Sequence, residues 1–288
     1  MILINIGIDI GGTHIGMGLV DDEGKIKVEK YLYYESKAFR VESALRGINE
    51  FIREYEDSIE SVGIGIPGIA TNTYVHYTCN LSIQEIELRD YLQCDKPIFV
   101  SNDANCATIA EYQFVDRKMF LNYILITVGT GIGSGIILNG NLYTGSSGTA
   151  GEAGHMVIEK DGLDCGCGRK GCFEKYASIT ALLKMTGAEN LKELFYLIER
   201  NNNIANIFEK YVEYLAEGLA NVINLYDPEM LVIGGSLSEY EEKFLYILKS
   251  KLVSKIYNKY TYDFNIKTAR LGNSAGIIGA SILNQYLK

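Results

Sequence analysis

No run of basic residues, no apolar stretch long enough to cross a bilayer, no low-complexity segment and no flexible linker occurs in these 288 residues. Each absence removes a class of protein. A phosphate-backbone binder draws its affinity from clustered Lys and Arg, and a chain of net charge −9 without such clusters is not expected to have nucleic acid as a partner. A membrane-spanning helix needs about 20 consecutive apolar residues, so no membrane is expected either. The apolar opening, residues 1–10, contains Asp9 and lacks a basic flank, and so reads as a buried strand rather than a signal peptide. Two familiar nucleotide signatures are also missing. Gly24-Lys25 is followed by Ile26, which breaks the Walker pattern, and residues 129–135 alternate glycines strictly without giving Gly-x-Gly-x-x-Gly before a helix.

What is present is a hydrophobic content of 47%, enough for a real core, over a length that suggests two lobes. Six cysteines occur, of which Cys79, Cys94 and Cys106 are scattered in plausible strand or helix positions. A small disulfide scaffold is excluded at this length, and the pattern indicates a reducing, cytoplasmic setting. The other cysteines are clustered in Cys165-Gly-Cys167-Gly-Arg-Lys-Gly-Cys172, with Gly151-Glu152-Ala-Gly-His155-Met just upstream. Three thiolates and a neutral imidazole suit tetrahedral zinc, and four protein ligands leave no position for an activated water, so the ion is structural. The loop it would hold carries Glu152, His155 and Glu174, polar groups suited to hydrogen-bonding sugar hydroxyls.

Along the chain, residues 2–10 run through Gly11-Gly12-Thr13 into an apolar segment ending at the turn 22–24, which reads as two strands joined by a glycine turn. Residues 41–55 have helical periodicity, residues 62–66 and 97–100 read as buried strands, and a helix follows Asn102-Asp103. A second strand, glycine turn, strand unit begins near Leu121 and passes through residues 129–135 to a strand at 136–138. This weak duplication suits two α/β lobes of related topology. A long helical stripe covers residues 207–223, and a buried strand at 231–233 opens into Gly234-Gly235.

Glycine turns at strand ends let backbone N–H groups approach phosphate oxygens. Gly11, Gly12 and Thr13, then Gly129, Thr130 and Gly131, then Gly234 and Gly235 are the candidate phosphate-binding residues. Asp9, beside the first turn, is placed to hold magnesium through water. Asp103, after a buried strand and before a helix, is a candidate base for in-line phosphoryl transfer, or a helix N-cap.

Together these motifs resemble the ROK family, which groups sugar kinases with transcriptional repressors on an actin-like, hexokinase-like ATPase fold. The resemblance covers nearly the whole chain, through Asp9-Ile-Gly-Gly-Thr13, Gly65-Ile-Pro-Gly68, Asn102-Asp-Ala-Asn105, Gly129-Thr-Gly131, the Glu152 to His155 segment, and Cys165-x-Cys-Gly-x-x-Gly-Cys172-x-Glu174. It implies a two-lobed, ribonuclease H-like α/β fold with an interlobe active-site cleft. The small lobe would span residues 1–115 with a returning C-terminal helix at about 275–288, and the large lobe residues 116–274 with a zinc loop at 155–172. It implies Asp103 as the catalytic base and Gly68, Asn102, Glu152, His155 and Glu174 as sugar contacts. Asn80, in Cys-Asn-Leu where the family often carries Pro-Asn-Leu, is a further contact. His155, Cys165, Cys167 and Cys172 match the family's zinc ligands, so His155 serves twice, with one ring nitrogen on zinc and the other toward the sugar.

The implied reaction is ATP-dependent phosphorylation of a hexose at its 6-hydroxyl with Mg2+, with glucose foremost and N-acetylmannosamine or N-acetylglucosamine as alternatives. A homodimer is implied as well. The family's repressors resemble one another in an added N-terminal helix-turn-helix domain. Here the phosphate-loop strand starts at residue 2, and a DNA-binding role is not expected. The non-enzyme alternative is a catalytically silent sugar sensor, which should show loss of the base or of a phosphate loop, and both are intact.

Overall fold

The structure, a computed structural model, describes residues 3–34, 41–78, 81, 83–258 and 265–287. The chain begins with β1 (Ile4–Ile10), β2 (His14–Asp21) and β3 (Ile26–Tyr33), continues through α1 (Val41–Tyr55) and β4 (Val62–Ile66), and then forms β5 (Gly68–Thr71), β6 (Tyr74–Thr78) and β7 (Gln84–Glu87). β8 (Ile98–Asn102) leads directly into α2 (Asp103–Ala110), followed by β9 (Tyr123–Val128), β10 (Ile132–Leu138) and β11 (Asn141–Leu142). Helices α3 (Glu174–Ala177), α4 (Ile179–Thr186), α5 (Leu191–Ile198) and α6 (Asn202–Tyr226) precede β12 (Met230–Gly234), α7 (Glu241–Val253), β13 (Ile266–Thr268) and α8 (Ala275–Ser281).

Two five-stranded sheets result, ordered β3-β2-β1-β4-β8 and β11-β10-β9-β12-β13, with β5-β6-β7 as a small third sheet. In the first, β1, β4 and β8 are parallel and β2 and β3 fold back as antiparallel neighbours. In the second, β9, β12 and β13 are parallel and β11 lies antiparallel to β10. The repeated strand, glycine turn, strand unit of the sequence is therefore β1–β2 in one sheet and β9–β10 in the other. The central parallel strands β4 and β12 are apolar and buried at every position, because they are covered on both faces.

Two compact units divide the chain. One comprises Met1–Leu121, Gly135–Ala150 and Asn273–Lys288, and the other Asn122–Ser134 and Gly151–Gly272. In the first, α1 lays Leu45, Ile48, Phe51 and Ile52 against the buried side chains of β1 and β4. The other face of these strands takes α8 at backbone distance. A Cβ on Gly63 would lie 1.7 Å from Ala280 O, one on Gly7 would lie 1.9 Å from Ile277 O, and one on Gly279 would lie 1.7 Å from Cys106 O in α2. No side chain can move aside there, since backbone opposes backbone. Gly63→Ala is therefore expected to destabilise by about 3 kcal/mol or more, on the order of a 5–10 °C lower Tm for a chain of this size. A thermal melt of that variant is the check.

Several elements depart from the sequence reading. β3 was not anticipated, because Ile-Lys-Val-Glu-Lys-Tyr-Leu-Tyr is an edge strand whose charges face solvent and protect an open edge. The small sheet β5-β6-β7 and the helices α3, α4, α5 and α7 were likewise unread. Residues 129–135 are not one turn: the turn is confined to residues 129–131, and Gly133 and Gly135 belong to β10. Gly135 serves packing, since a Cβ there would lie 2.2 Å from Thr108 Oγ1 of α2.

Candidate active site

In the first unit, the parallel register Asp9↔Gly65↔Ser101 brings the C-terminal ends of β1, β4 and β8 level. Ligands of open α/β sheets bind at such carboxyl ends. Asp9 and Asp103 meet here because Gly65 lies between them: a Cβ at Gly65 would stand 3.6 Å from Asp9 Oδ1 and 3.7 Å from Asp103 Cα. Asp103 is the first residue of α2, and the cap is its predecessor. Asn102 Oδ1 accepts from Ala104 N at 2.8 Å while Asn102 Nδ2 donates to Gly68 O at 3.2 Å. Asn102 is thus the N-cap, and Asp103 Oδ1 shares the same donor, accepting from Ala104 N at 2.8 Å.

Asp9 stands in β1 with its carboxylate against α8; a Cβ at Gly276 would be 2.3 Å from Asp9 Oδ2. Burial first, and then the charge of Asp103, push the Asp9 carboxyl up to about 7. A carboxyl that ionises less readily folded than unfolded favours folding in its protonated form. Its contribution is fully present below about pH 4 and is lost as pH rises toward 7, roughly 4 kcal/mol for a shift of this size. In magnesium-free buffer, melting temperature should fall between pH 4 and pH 7, and Asp9→Asn should flatten that slope. An unchanged slope in the variant would assign the titration elsewhere. The turn beyond Asp9 closes with Gly11 N donating to His14 O at 2.9 Å, and Tyr34 Oη donates to Gly11 O. A Cβ at Gly12 would meet nothing within 4 Å, so the tip of the turn is open. His14 packs its ring against Tyr31 and Tyr33, at 5.6 and 5.9 Å between centroids.

In the second unit, Thr127↔Gly234 sets the ends of β9 and β12 side by side, which makes the Gly129–Gly131 turn and Gly234-Gly235 neighbours. Gly235 has φ +75°, and a Cβ there would be 2.5 Å from Val128 O, so both conformation and space require glycine. The Gly129–Gly131 turn is held from behind by α4: Ile179 N donates to Gly129 O at 2.9 Å and Thr180 Oγ1 donates to Thr130 O at 2.8 Å.

The cysteine loop folds as a short hairpin in which Cys165 N donates to Arg169 O at 2.9 Å and Gly168 N to Cys165 O at 3.1 Å. Gly171, at φ +77°, is irreplaceable because a Cβ would lie 1.8 Å from Glu159 O. Ligand atoms of His155, Cys165, Cys167 and Cys172 all fall within 4.8 Å of one another. Cys167 Sγ to Cys172 Sγ is 3.5 Å and Cys165 Sγ to His155 Nδ1 is 3.7 Å. Tetrahedral zinc at ordinary bond lengths gives ligand–ligand edges of about 3.5–3.8 Å, so the residues present fit that ion. Without metal, burial chiefly, together with Glu174, holds the Cys165 thiol up at about 12. Binding must therefore displace its proton.

Around this loop, His155 Nδ1 faces the sulfur cluster while Nε2 lies 3.9 Å from Glu152 Oε2. Glu174 Oε1 accepts from Cys165 Sγ at 3.1 Å. Burial raises the Glu152 carboxyl above the usual carboxylate range, and the charge of Glu174 adds to it against the lowering influence of His155. Glu152, His155 and Glu174 are thus one polar group beside the cysteine cluster. Asn80 lies outside the described residues.

The sequence model of the ROK family matches residues 5–286. The chain belongs to the ROK family. Among its ROK relatives, the xylose repressor of Bacillus subtilis is 31% identical over 98% of this chain and 78% of that protein. The glucokinase of Thermotoga maritima is 33% identical over 96% of this chain and 95% of its own length. The N-acetylmannosamine kinase of Haemophilus influenzae is 32% identical over 96% and 93% respectively. The ROK glucokinase of Streptomyces griseus, solved in complex with glucose and AMPPNP, superposes with a TM-score of 0.83 at 29% identity, covering 97% of this chain and 98% of that one. The fold is accordingly the actin-like, hexokinase-like α/β fold of ROK sugar kinases. Among the described residues no helix is long and apolar enough to cross a membrane.

Beyond the ROK motifs, three residues with a bearing on the site were not singled out in the sequence. Gly276 admits the Asp9 carboxylate, Tyr34 ties down Gly11, and Thr180 ties down Thr130. Each acts on a motif residue distant in sequence, and no local pattern marks it.

Proposed function

We propose that this ROK protein is an ATP-dependent hexose kinase that phosphorylates the 6-hydroxyl, with glucose as substrate. The observation that carries the reading is Asp103 at the carboxyl end of the parallel strands, set across Gly65 from the Asp9 carboxylate, whose ionisation its charge opposes. Asp103 accepts the proton of the sugar hydroxyl as that oxygen forms a bond to the γ-phosphorus; the bond from phosphorus to the β,γ-bridging oxygen breaks and ADP leaves. Phosphoryl transfer asks the protein chiefly for position and for donors aimed at phosphate oxygens. The backbone of Gly11–Thr13, Gly129–Gly131 and Gly234-Gly235 is assigned that task. Mg2+, with Asp9 reaching it through water, would screen the phosphate charge. Glu152, His155 Nε2, Glu174, Asn102, Gly68 and Asn80 are assigned to the sugar, and a zinc ion on His155 Nδ1 and the three cysteines would keep the first of these groups in place.

N-acetylmannosamine is the second reading, favoured by a relative of that activity at 32% identity, next to 33% for the glucokinase. The test is ADP release with Mg-ATP across glucose, N-acetylmannosamine, N-acetylglucosamine, mannose and fructose. The highest kcat/KM on glucose supports the first reading and the highest on N-acetylmannosamine the second. Silence on all of them, with sugar binding retained, would favour a catalytically silent sugar sensor over a kinase.

A further inference from the structure

We propose that Thr180 is a positioning residue for the nucleotide-phosphate loop Gly129–Gly131, aiming the N–H groups of Thr130 and Gly131 by holding the carbonyls behind them. The inference rests on the kinase reading and adds a residue outside the motifs that led to it.

A trans peptide is planar, with C=O and N–H pointing in opposite directions. Fixing the Gly129 carbonyl therefore fixes the Thr130 N–H, and fixing the Thr130 carbonyl fixes the Gly131 N–H. Both carbonyls are held by the start of α4. Ile179 N donates to Gly129 O at 2.9 Å, using an amide that a helix start leaves without an intrahelical partner. Thr180 Oγ1 donates to Thr130 O at 2.8 Å. The helix start itself is fixed by Ser178, whose Oγ accepts from Ala181 N at 3.1 Å. With both carbonyls turned toward α4, the two amides face the opposite side of the loop. A Cβ at Gly129 would meet nothing within 4 Å, so the loop is not closed over at that residue.

Glycine loops are mobile unless anchored, and donors count in phosphoryl transfer to the extent that they are aimed before the charge develops. The Ile179 contact belongs to the main chain and any sequence could make it. The Thr180 contact requires a hydroxyl at that position. Thr180 is exposed, so removing its hydroxyl leaves no buried cavity. Neither Thr180 nor Thr130 is a metal ligand or an assigned sugar contact, while Gly131 borders one, since a Cβ there would lie 3.0 Å from Glu174 Oε2; zinc and sugar are therefore read alongside the nucleotide.

The experiment compares wild type, Thr180→Val and Thr180→Ser. Binding of AMPPNP with Mg2+ is measured by calorimetry, and KM for ATP, KM for the sugar, kcat, zinc content and Tm are measured alongside. Losing one aimed contact is expected to lower kcat/KM for ATP about tenfold in Thr180→Val, with weaker AMPPNP binding. Sugar KM, zinc content and Tm should stay at wild-type values, and Thr180→Ser should restore nucleotide affinity. Equal AMPPNP affinity in wild type and Thr180→Val overturns the inference and leaves the kinase reading standing. So does a loss shared by sugar KM, zinc content or Tm, which marks a merely structural role. A wild type that binds no nucleotide overturns both.

Discussion

Asp103→Asn is expected to lower kcat by a factor of about 10²–10⁴, the range that a positioned general base contributes. The amide is nearly the size of the carboxylate and cannot accept the hydroxyl proton. Its fold should survive, because Asn102 caps the start of α2 and an amide oxygen can keep the bond that Asp103 Oδ1 accepts from Ala104 N. Sugar affinity should also persist, since the hydrogen bonds assigned to the sugar come mainly from other residues. With no tryptophan in the chain to report binding by fluorescence, calorimetry is the suitable readout. A side effect follows from the charge pair. Removing Asp103 takes away one of the two influences that raise the Asp9 carboxyl, so the pH-dependent loss of stability should begin and end lower than in wild type. Turnover near the wild-type rate would remove Asp103 from the mechanism, whatever the melting curve showed.

Cys167→Ser is expected to reduce zinc from one ion per chain to near none, and to raise KM for the sugar by about 10–100-fold, the usual effect of disturbing a metal site's supporting groups. This cysteine is the informative one to change. Cys165 and Cys172 are buried, so replacing either confounds ligand loss with packing loss, whereas Cys167 is exposed. Zinc determined by elemental analysis, together with sugar and ATP kinetics, is the measurement. The ion would hold His155 through Nδ1, the nitrogen that faces the sulfurs, and with it the direction of Nε2 beside Glu152. Cys165 would then keep its thiol proton and its contact to Glu174. Full zinc content in the variant would mean that the four side chains are not the ligand set.

The cluster of His155, Cys165, Cys167 and Cys172 was legible because these residues lie close together in sequence, so that spacing carries most of the geometry. Asp103 was legible as a carboxylate between an apolar strand and a helix, although the sequence could not say whether it capped that helix; Asn102 does. The glycine turns were legible as turns, but Gly133 and Gly135 were misread with them, because a glycine that admits a neighbouring helix looks the same in sequence as one that turns the chain. Gly63 and Gly279 are cases of the same ambiguity. They reveal their role only when α8 is seen against the sheet and against α2.

By itself the sequence determined the family, the α/β class, the repeated strand-turn-strand units, and which residue types could carry phosphate, base and metal chemistry. These follow from periodicity and from motifs a few residues long, where neighbours in the chain are neighbours in space. Only the tertiary structure decided which imidazole nitrogen faces the sulfurs, that the half-buried Asp9 lies near a second carboxylate and against Gly276, and that Thr180 sits behind Thr130. The last two join residues far apart in sequence, and close packing, which no local pattern records, brings them together.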